Sequence, residues 1–353
     1  MNLDWVRRIT FVNVILWGLR IGVVVVVFGG TLGSLITGKY SGEQWFDLLL
    51  FGLSMGSIYA LIALGYTMVY GILRLINFAH GDIFMTGGFT GYFVINALNR
   101  SGFLDQNPLI SIACTLAVSM TVCVVIALIV ERICYRPFRH VRTLAPLICA
   151  IGASFFLQHS FRGLYGSSIR AYPDIALIEG KLFFFGFDIP KVQVVVIVSA
   201  FLSMLILYTI VQRTKMGTAM RAVSEDRDIA ALMGIDVNKV IVFTFILGGS
   251  MAGIAAVLYA FVFKQVFFFM GFFPGIKGFS AAVLGGIGNV PGAMLGGLFL
   301  GVVESVGPAL FLDGLGIPAP YQLRDAIAFS MLVLMLIFRP QGILGERLAA
   351  KRA

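Results

Sequence analysis

Leu109–Val130 reads LISIACTLAVSMTVCVVIALIV, twenty-two residues without one charged side chain. A run of about 20 such residues, wound as a helix, crosses the roughly 30 Å hydrocarbon core of a bilayer. Similar runs recur on both sides of it. Ten segments fit, at about 14–36, 46–72, 77–98, 109–130, 144–161, 192–211, 240–262, 278–290, 292–311 and 322–338. The expected fold class is therefore all-α, a polytopic integral membrane protein of about ten transmembrane helices including short Gly-broken segments. The eighth segment is short, so a re-entrant hairpin over 278–306 is an alternative. Either way the parity is even and both termini share one side. No linker or soluble domain interrupts residues 1–353, which read as a single membrane domain.

Composition supports the same class. Of 353 residues 59% are hydrophobic and 12% charged, whereas a soluble domain carries about 25% charged residues. So little charge cannot cover a water-facing surface, and the lipid bilayer is the expected surrounding. The net charge of +9 does not point to nucleic acid, because that needs basic residues clustered on one soluble face. Here they sit in short loops between apolar runs. Near the start, Arg7, Arg8 and Arg20 precede the run Ile21–Ile36 as in a signal peptide. No Ala-x-Ala site follows, and the first alanine is Ala60, so an uncleaved first span is expected.

Orientation comes from Lys and Arg, which accumulate in cytoplasmic loops. One set of loops holds Arg7, Arg8, Arg74, Arg132, Arg136, Arg139, Arg142, Arg213, Lys215, Arg221, Arg227, Lys239, Arg339, Arg347, Lys351 and Arg352. That is about 16 residues against about 9 on the other side, which makes both termini and the 212–239 loop cytoplasmic.

The 212–239 loop carries the densest charge. Ser224–Gly234 reads as one short helix, with Ser224 as cap and Glu225, Asp226 and Asp228 in the first turn, where they complement the helix dipole. Ile229, Leu232 and Met233 form an apolar face, Gly234 supplies the stop, and Asp236 caps the next span. That face either lies on the protein's own membrane ends or enters a groove on a cytoplasmic partner. The chain has no G-x-x-x-x-G-K-[ST] phosphate loop, so ATP-driven work would have to arrive through such a contact.

Two glycine-rich regions break helical regularity: Asn77-Phe-Ala-His80-Gly81-Asp82, followed by Gly87, Gly88 and Gly91, and Gly285-Gly286-Ile-Gly288-Asn289-Val-Pro-Gly292, followed by Gly296, Gly297 and Gly301. Paired interruptions of this kind mark transporter repeats and a path through the membrane. Asn77, His80, Gly81, Gly286, Gly288 and Asn289 are the candidate path or gate residues. An interfacial loop, with His80 and Asp82 satisfying each other or capping the third span, is the alternative for the first region. Glu304 is a carboxylate inside an apolar span and needs a partner, water or the path. Glycines four apart, such as Gly52/Gly56 and Gly297/Gly301, let helix backbones approach closely.

Catalytic and metal sites are not expected. Cys114, Cys123, Cys134 and Cys149 have no paired spacing and read as small buried hydrophobes. His80, His140 and His159 form no H-E-x-x-H pattern, and no G-x-S-x-G elbow is present.

Several ordered blocks resemble one family. They are Gly52-Leu-Ser-Met-Gly56-Ser-Ile-Tyr59 through Gly65, Tyr70-Gly71, Asn77-Phe-Ala-His80-Gly81, Arg221-Ala-Val-Ser-Glu225-Asp226 through Gly234, Phe279 through Gly292, Arg324-Asp325 and Phe338-Arg-Pro-Gln-Gly342. Together, over about 52–345, they look like the LivH-type branched-chain amino acid ABC transporter permeases. The resemblance implies a permease subunit in the bacterial cytoplasmic (inner) membrane, importing leucine, isoleucine and valine. A urea or short-amide importer of the same family is an alternative, and so is a stand-alone channel or gradient-driven carrier. It further implies a second, homologous permease of the LivM type, two cytoplasmic ATPase subunits and an extracytoplasmic amino-acid-binding protein. ATP and magnesium would sit on the ATPase subunits, with no cofactor bound by this chain. Arg221, Glu225, Asp226, Ile229, Leu232 and Gly234 match the ATPase-coupling segment. The stretch through Tyr40 and the connections 162–191 and 264–277 match no family pattern, and these outer connections are candidates for touching the binding protein.

Overall fold

The computed structural model describes residues 11–138, 144–184 and 186–345. Arg7, Arg8, Arg139, Arg142, Arg347, Lys351 and Arg352, which entered the orientation argument, lie outside the described residues, as does His140.

Helices dominate. They are α1 (Phe11–Thr37), α2 (Gly42–Leu73), α3 (His80–Arg100), α4 (Phe103–Gln106), α5 (Pro108–Val130), α6 (Ala145–Tyr165), α7 (Lys191–Arg213), α8 (Lys215–Glu225), α9 (Arg227–Leu232), α10 (Val237–Phe263), α11 (Phe272–Gly285), α12 (Val290–Gly307) and α13 (Arg324–Phe338). Two small antiparallel pairs accompany them, so the fold is mostly rather than wholly helical. β1 (Arg170–Ala171) pairs with β4 (Gln265–Val266), and β2 (Lys181–Phe184) pairs with β3 (Phe187–Pro190).

Among the described residues, seven helical segments are long and apolar enough to cross a membrane: Ile15–Thr37, Gly42–Leu73, Pro108–Phe138, Lys191–Arg213, Val237–Phe263, Val290–Leu315 and Pro320–Phe338. Seven, not about ten, is the number that length and hydropathy support. The remaining three expected segments are helical but fall short for physical reasons. α3 carries His80, Asp82, Asn96, Asn99 and Arg100, and α6 carries Gln158, His159 and Arg162. α11 has 14 residues, about 21 Å of helix, too short for the roughly 30 Å core. It also lies earlier than the expected 278–290, because Gly286 and Gly288 adopt φ of +105° and +97° and end it. α11 and α12 then pack as a hairpin about that turn.

α2 and α10 form the centre, each with 72% of its apolar window buried, while α1 and α13 are peripheral at 11% and 6%. α2 starts in a capping box in which Ser41 and Gln44 bond each other's backbone N–H groups. Along α2, Gly52 and Gly56 face Gly301 and Gly297 of α12 so closely that a Cβ on Gly301 would land on the backbone of Gly56. The four-residue glycine spacing thus joins two helices backbone to backbone, as the small-residue rule requires where lipid removes the hydrophobic drive between helices.

Contacts sort the helix ends into two groups. At one end Arg74 Nη2 donates to Ser224 O (3.1 Å), Tyr135 OH donates to Ile76 O (3.1 Å) and Asn289 Nδ2 donates to Leu344 O (2.9 Å). At the other, Lys39 pairs with Asp313 (2.7 Å), Ser305 Oγ donates to Leu48 O (2.7 Å), and Lys264 pairs with Asp174 and Glu179. We call these the Arg74 end and the Lys264 end.

Candidate functional site

At the Arg74 end, the stretch expected as one helix is two. α8 is capped by Thr214, whose side chain accepts from Gly217 N, and it contains Ser224 and Glu225. At Asp226 the backbone turns to φ −151°, ψ 117°, and its carboxylate accepts from Asp228 N and Ile229 N. Asp226, not Ser224, is therefore the cap of α9. Its short carboxylate satisfies two N–H groups that the first turn leaves unpaired, which makes the break. Gly234 ends the unit at φ +84°, with Ile235 N donating to Ala230 O (3.1 Å), and Asp236 caps α10 through Lys239 N.

α9 is held from one side. Ala230 is buried, and Arg227 donates through Nε (3.0 Å) and Nη2 (2.5 Å) to Ile72 O at the end of α2. Its other side is bare: Ile229, Leu232 and Met233 are 59%, 87% and 79% exposed. Glu225 and Asp226 are exposed beside them. Arg221 turns inward instead, donating to Val211 O and reaching Gln212 and Thr218. It is a brace between α7 and α8. Arg227 and Arg74, which tie this unit to α2, carry no local signal that sets them apart from other loop arginines.

The candidate gate residues occupy two places along α2. His80 packs edge-on against Tyr66 at 4.8 Å between ring centroids, and its Nε2 lies against Gly65. Gly65 is eight residues, about 12 Å, up α2 from Leu73. The chain from Arg74 to Ala79 therefore dips back before α3 starts, with Asn77 and Ala79 buried and Arg74 and Phe78 exposed. Asn77, His80 and Asp82 are all buried. Asn77 Oδ1 accepts from Tyr135 OH (3.3 Å), and Gly81 lies against Gly271 and Gly275. Asp82 neither pairs with His80 nor caps α3. Ser154 Oγ and Gln158 Nε2 (2.8 Å) of α6 donate to it. The second set lies nearer the Arg74 end: Gly288 meets Gly71, Gly286 meets Gln341 and Gly345, and Asn289 caps α12 through Gly292 N (3.0 Å). His80 and Gly288 thus meet different turns of α2, at Gly65 and Gly71, while Asn77, Gly81, Gly286 and Asn289 pack on other elements.

Glu304 has its partners in protein. Lys277 of α11 donates to Glu304 Oε1 (2.5 Å), Asp325 Oδ1 (2.7 Å) and Tyr59 OH (3.5 Å). Lys277 and Glu304 are 4% and 7% exposed. Arg324 stands 4.0 Å from Glu304 and 3.8 Å from Asp325. Lys277 falls at the edge of the expected connection 264–277, whereas in the structure it lies inside α11. Its signal was a single lysine within the apolar helix FFPGIKGFSAAVLG.

The two connections without a family pattern form one surface at the Lys264 end. β1 pairs with β4 across them, Tyr172 N donates to Lys264 O (2.9 Å), and Lys264 bridges Asp174 and Glu179. The Lys264 ammonium holds the Asp174 carboxyl below its ordinary value of 3.8.

These helices, their glycine seams and the buried ions define a multi-span helical membrane protein. The chain belongs to the family described as "Branched-chain amino acid transport system / permease component", which it matches over residues 48–336. It is 43% identical over 306 residues to the high-affinity branched-chain amino acid transport system permease protein BraD of Pseudomonas aeruginosa, covering 86% of this chain and 96% of that protein. To the corresponding permease protein LivH of Salmonella typhimurium it is 40% identical over 310 residues, 87% and 96% of the two chains. A more distant likeness, 26% over 320 residues and 84% and 85% of the two chains, is to the probable branched-chain amino acid transport permease protein LivM of Methanocaldococcus jannaschii.

Proposed function

We propose that this chain is the transmembrane permease subunit of an ATP-driven importer of branched-chain and other hydrophobic amino acids, leucine, isoleucine and valine foremost. Family membership across nearly the whole chain carries the class, and the names of BraD and LivH support the substrate. One observation supports the mechanism: the exposed Ile229–Met233 face on a unit tied by Arg227 and Arg74 to the end of α2. Burying such side chains gains about 1.5–3 kcal/mol each. A groove on a cytoplasmic ATPase gives them that burial, and a push on α9 then passes through Arg227 directly into the central helix.

In this reading 212–239 is the coupling loop and the Arg74 end is cytoplasmic, as its arginines favour. With α3, α6 and α11 running between the two ends as the seven longer helices do, both termini lie on that side in the bacterial inner membrane, and the Lys264 end faces an amino-acid-binding protein. The chain works as one membrane domain, binds no cofactor and performs no ATP hydrolysis itself. Two ATPase subunits hold ATP and magnesium, and a homologous permease completes the path. The Asn77–Gly81 region and the Gly286–Asn289 turn flank the inner part of α2, where a gate would move.

The test is affinity purification of the tagged chain from its native membrane in mild detergent, followed by leucine uptake in proteoliposomes. Recovery of a second permease and two ATPases, with ATP-dependent leucine uptake resistant to urea competition, is expected. Uptake by the purified chain alone, indifferent to ATP, overturns the proposal.

A further inference from the structure

We propose that the Lys277–Glu304–Asp325 cluster and the cavities beside it are a transit site for the charged backbone of an α-amino acid. The inference rests on the amino-acid permease function above and gives it a place and a chemistry within this chain.

A buried ion pair is an expensive way to fill space, and apolar residues of similar volume hold a fold as well or better. Lys277 and Glu304 are buried among apolar helices toward the Lys264 end, and ionisable groups kept inside a membrane domain point to a pathway. This cluster stands against open space. A cavity of ≈ 250 Å³ lies on one side, walled by Met55, Tyr59, Tyr259, Phe263 and Phe273. A second, of ≈ 180 Å³, lies on the other and shares Phe51, Met55, Glu304 and Arg324 with the first. Small-ligand pockets start at about 300 Å³, and the two lobes, which share four lining residues, together exceed that.

The charges suit a zwitterion. Two cations, Lys277 and Arg324, meet two anions, Glu304 and Asp325. A guest carrying one charge of each sign leaves the net charge of the site unchanged. Lys277 spends its donors on Glu304, Asp325 and Tyr59, which makes it the fixed centre. Glu304 Oε2 is buried and has no hydrogen-bond partner among the described residues, an unspent acceptor that must turn toward the cavity to meet an ammonium group. Arg324 approaches both carboxylates only at 3.8–4.0 Å, which leaves its guanidinium N–H groups for a carboxylate. The Met55, Phe263 and Phe273 walls accept an aliphatic side chain. Tyr59 lies fourteen residues, about 21 Å, up α2 from Leu73, so the site is on the Lys264 side of His80 and is met first by a substrate entering from that end.

The experiment uses the complete wild-type transporter in proteoliposomes. Leucine uptake is established first. The complex is then irradiated during turnover with a diazirine analogue of leucine, and adducts are mapped by mass spectrometry. We expect adducts within 51–59, 259–263 or 273–277, suppressed at least fivefold by leucine but not by isoamylamine or 4-methylpentanoate, each of which lacks one backbone charge. Uptake with adducts only elsewhere, or with equal competition by the singly charged analogues, overturns the transit site and leaves the permease function standing. No uptake by the wild-type complex overturns both. In a second arm, Lys277→Met/Glu304→Leu replaces the pair by apolar residues of similar volume. An assembled complex whose leucine uptake falls at least tenfold is expected, and uptake within twofold of wild type overturns the site. The labelling arm needs no variant, so it decides even where the double variant does not assemble.

Discussion

α9 and the Lys277 cluster break the same rule in opposite directions. α9 leaves Ile229, Leu232 and Met233 uncovered outside the helix bundle, whereas the cluster holds Lys277 and Glu304 inside an apolar one. Each costs stability, and each is held by its neighbours: α9 by Asp226 and Arg227, the cluster by mutual pairing of Lys277, Glu304 and Asp325. Places where local rules are broken and the surroundings compensate are where function concentrates. The difference lies in reach. α9 is built within eleven consecutive residues, while the cluster joins residues 59, 277, 304 and 325.

The comparison breaks most visibly at Leu232. Because it is 87% exposed, Leu232→Asp leaves the thermal unfolding of the chain unchanged. It is expected to weaken ATPase association more than about thirty-fold, since a charge replaces an apolar anchor, as co-purification reads directly. Unchanged association would mean that α9 rests on lipid. The cluster gives the next largest effect. Glu304→Leu alone removes one of the two carboxylates that hold buried Lys277 and is expected to cost about 3–5 kcal/mol, against a much smaller loss for Lys277→Met/Glu304→Leu. Detergent unfolding of the three proteins checks the contrast, and equal losses would show that the ions are not coupled.

A smaller change is expected at the glycine seam. Gly301→Ala forces a Cβ onto the backbone of Gly56 and should cost about 1–3 kcal/mol, lowering the unfolding midpoint without altering partner recovery. Arg227→Ala removes the tie to Ile72 and is expected to uncouple ATP hydrolysis from uptake several-fold while the ATPase still binds. The least effect is at the Lys264 end. The Asp174 pKa is depressed by Lys264, so its contribution is fully present above about 4. It is lost as pH falls through the lowered value. Hydrogen exchange across 170–180 should rise only in that acid range, and an increase near neutral pH would contradict the pairing.

Much of the fold was legible along the chain because membrane spans are written in consecutive residues. Each of the ten expected segments overlaps a helix and the glycine stop at Gly234 acts where it stands, whereas Gly286, inside an expected segment, ends a helix instead. The span count was less legible, since α3, α6 and α11 trade hydropathy or length for buried polar contacts that only neighbouring helices reveal. Among candidate residues, Leu232 and Gly234 could be read from spacing. The inward turn of Arg221, the move of the cap from Ser224 to Asp226 and the depth of His80 could not, because each depends on what packs beside it.

By itself, then, the sequence determined a multi-span helical membrane chain and a short amphipathic unit in one loop, both properties of residues close together in the chain. Only the tertiary structure decided that Glu304 meets Lys277 and Asp325, that Asp82 belongs to Ser154 and Gln158, and that Gly52 and Gly56 receive Gly301 and Gly297. The physical reason is that a buried charge or a bare backbone needs a complement but carries no information about which distant residue supplies it. Packing of the helices makes that choice.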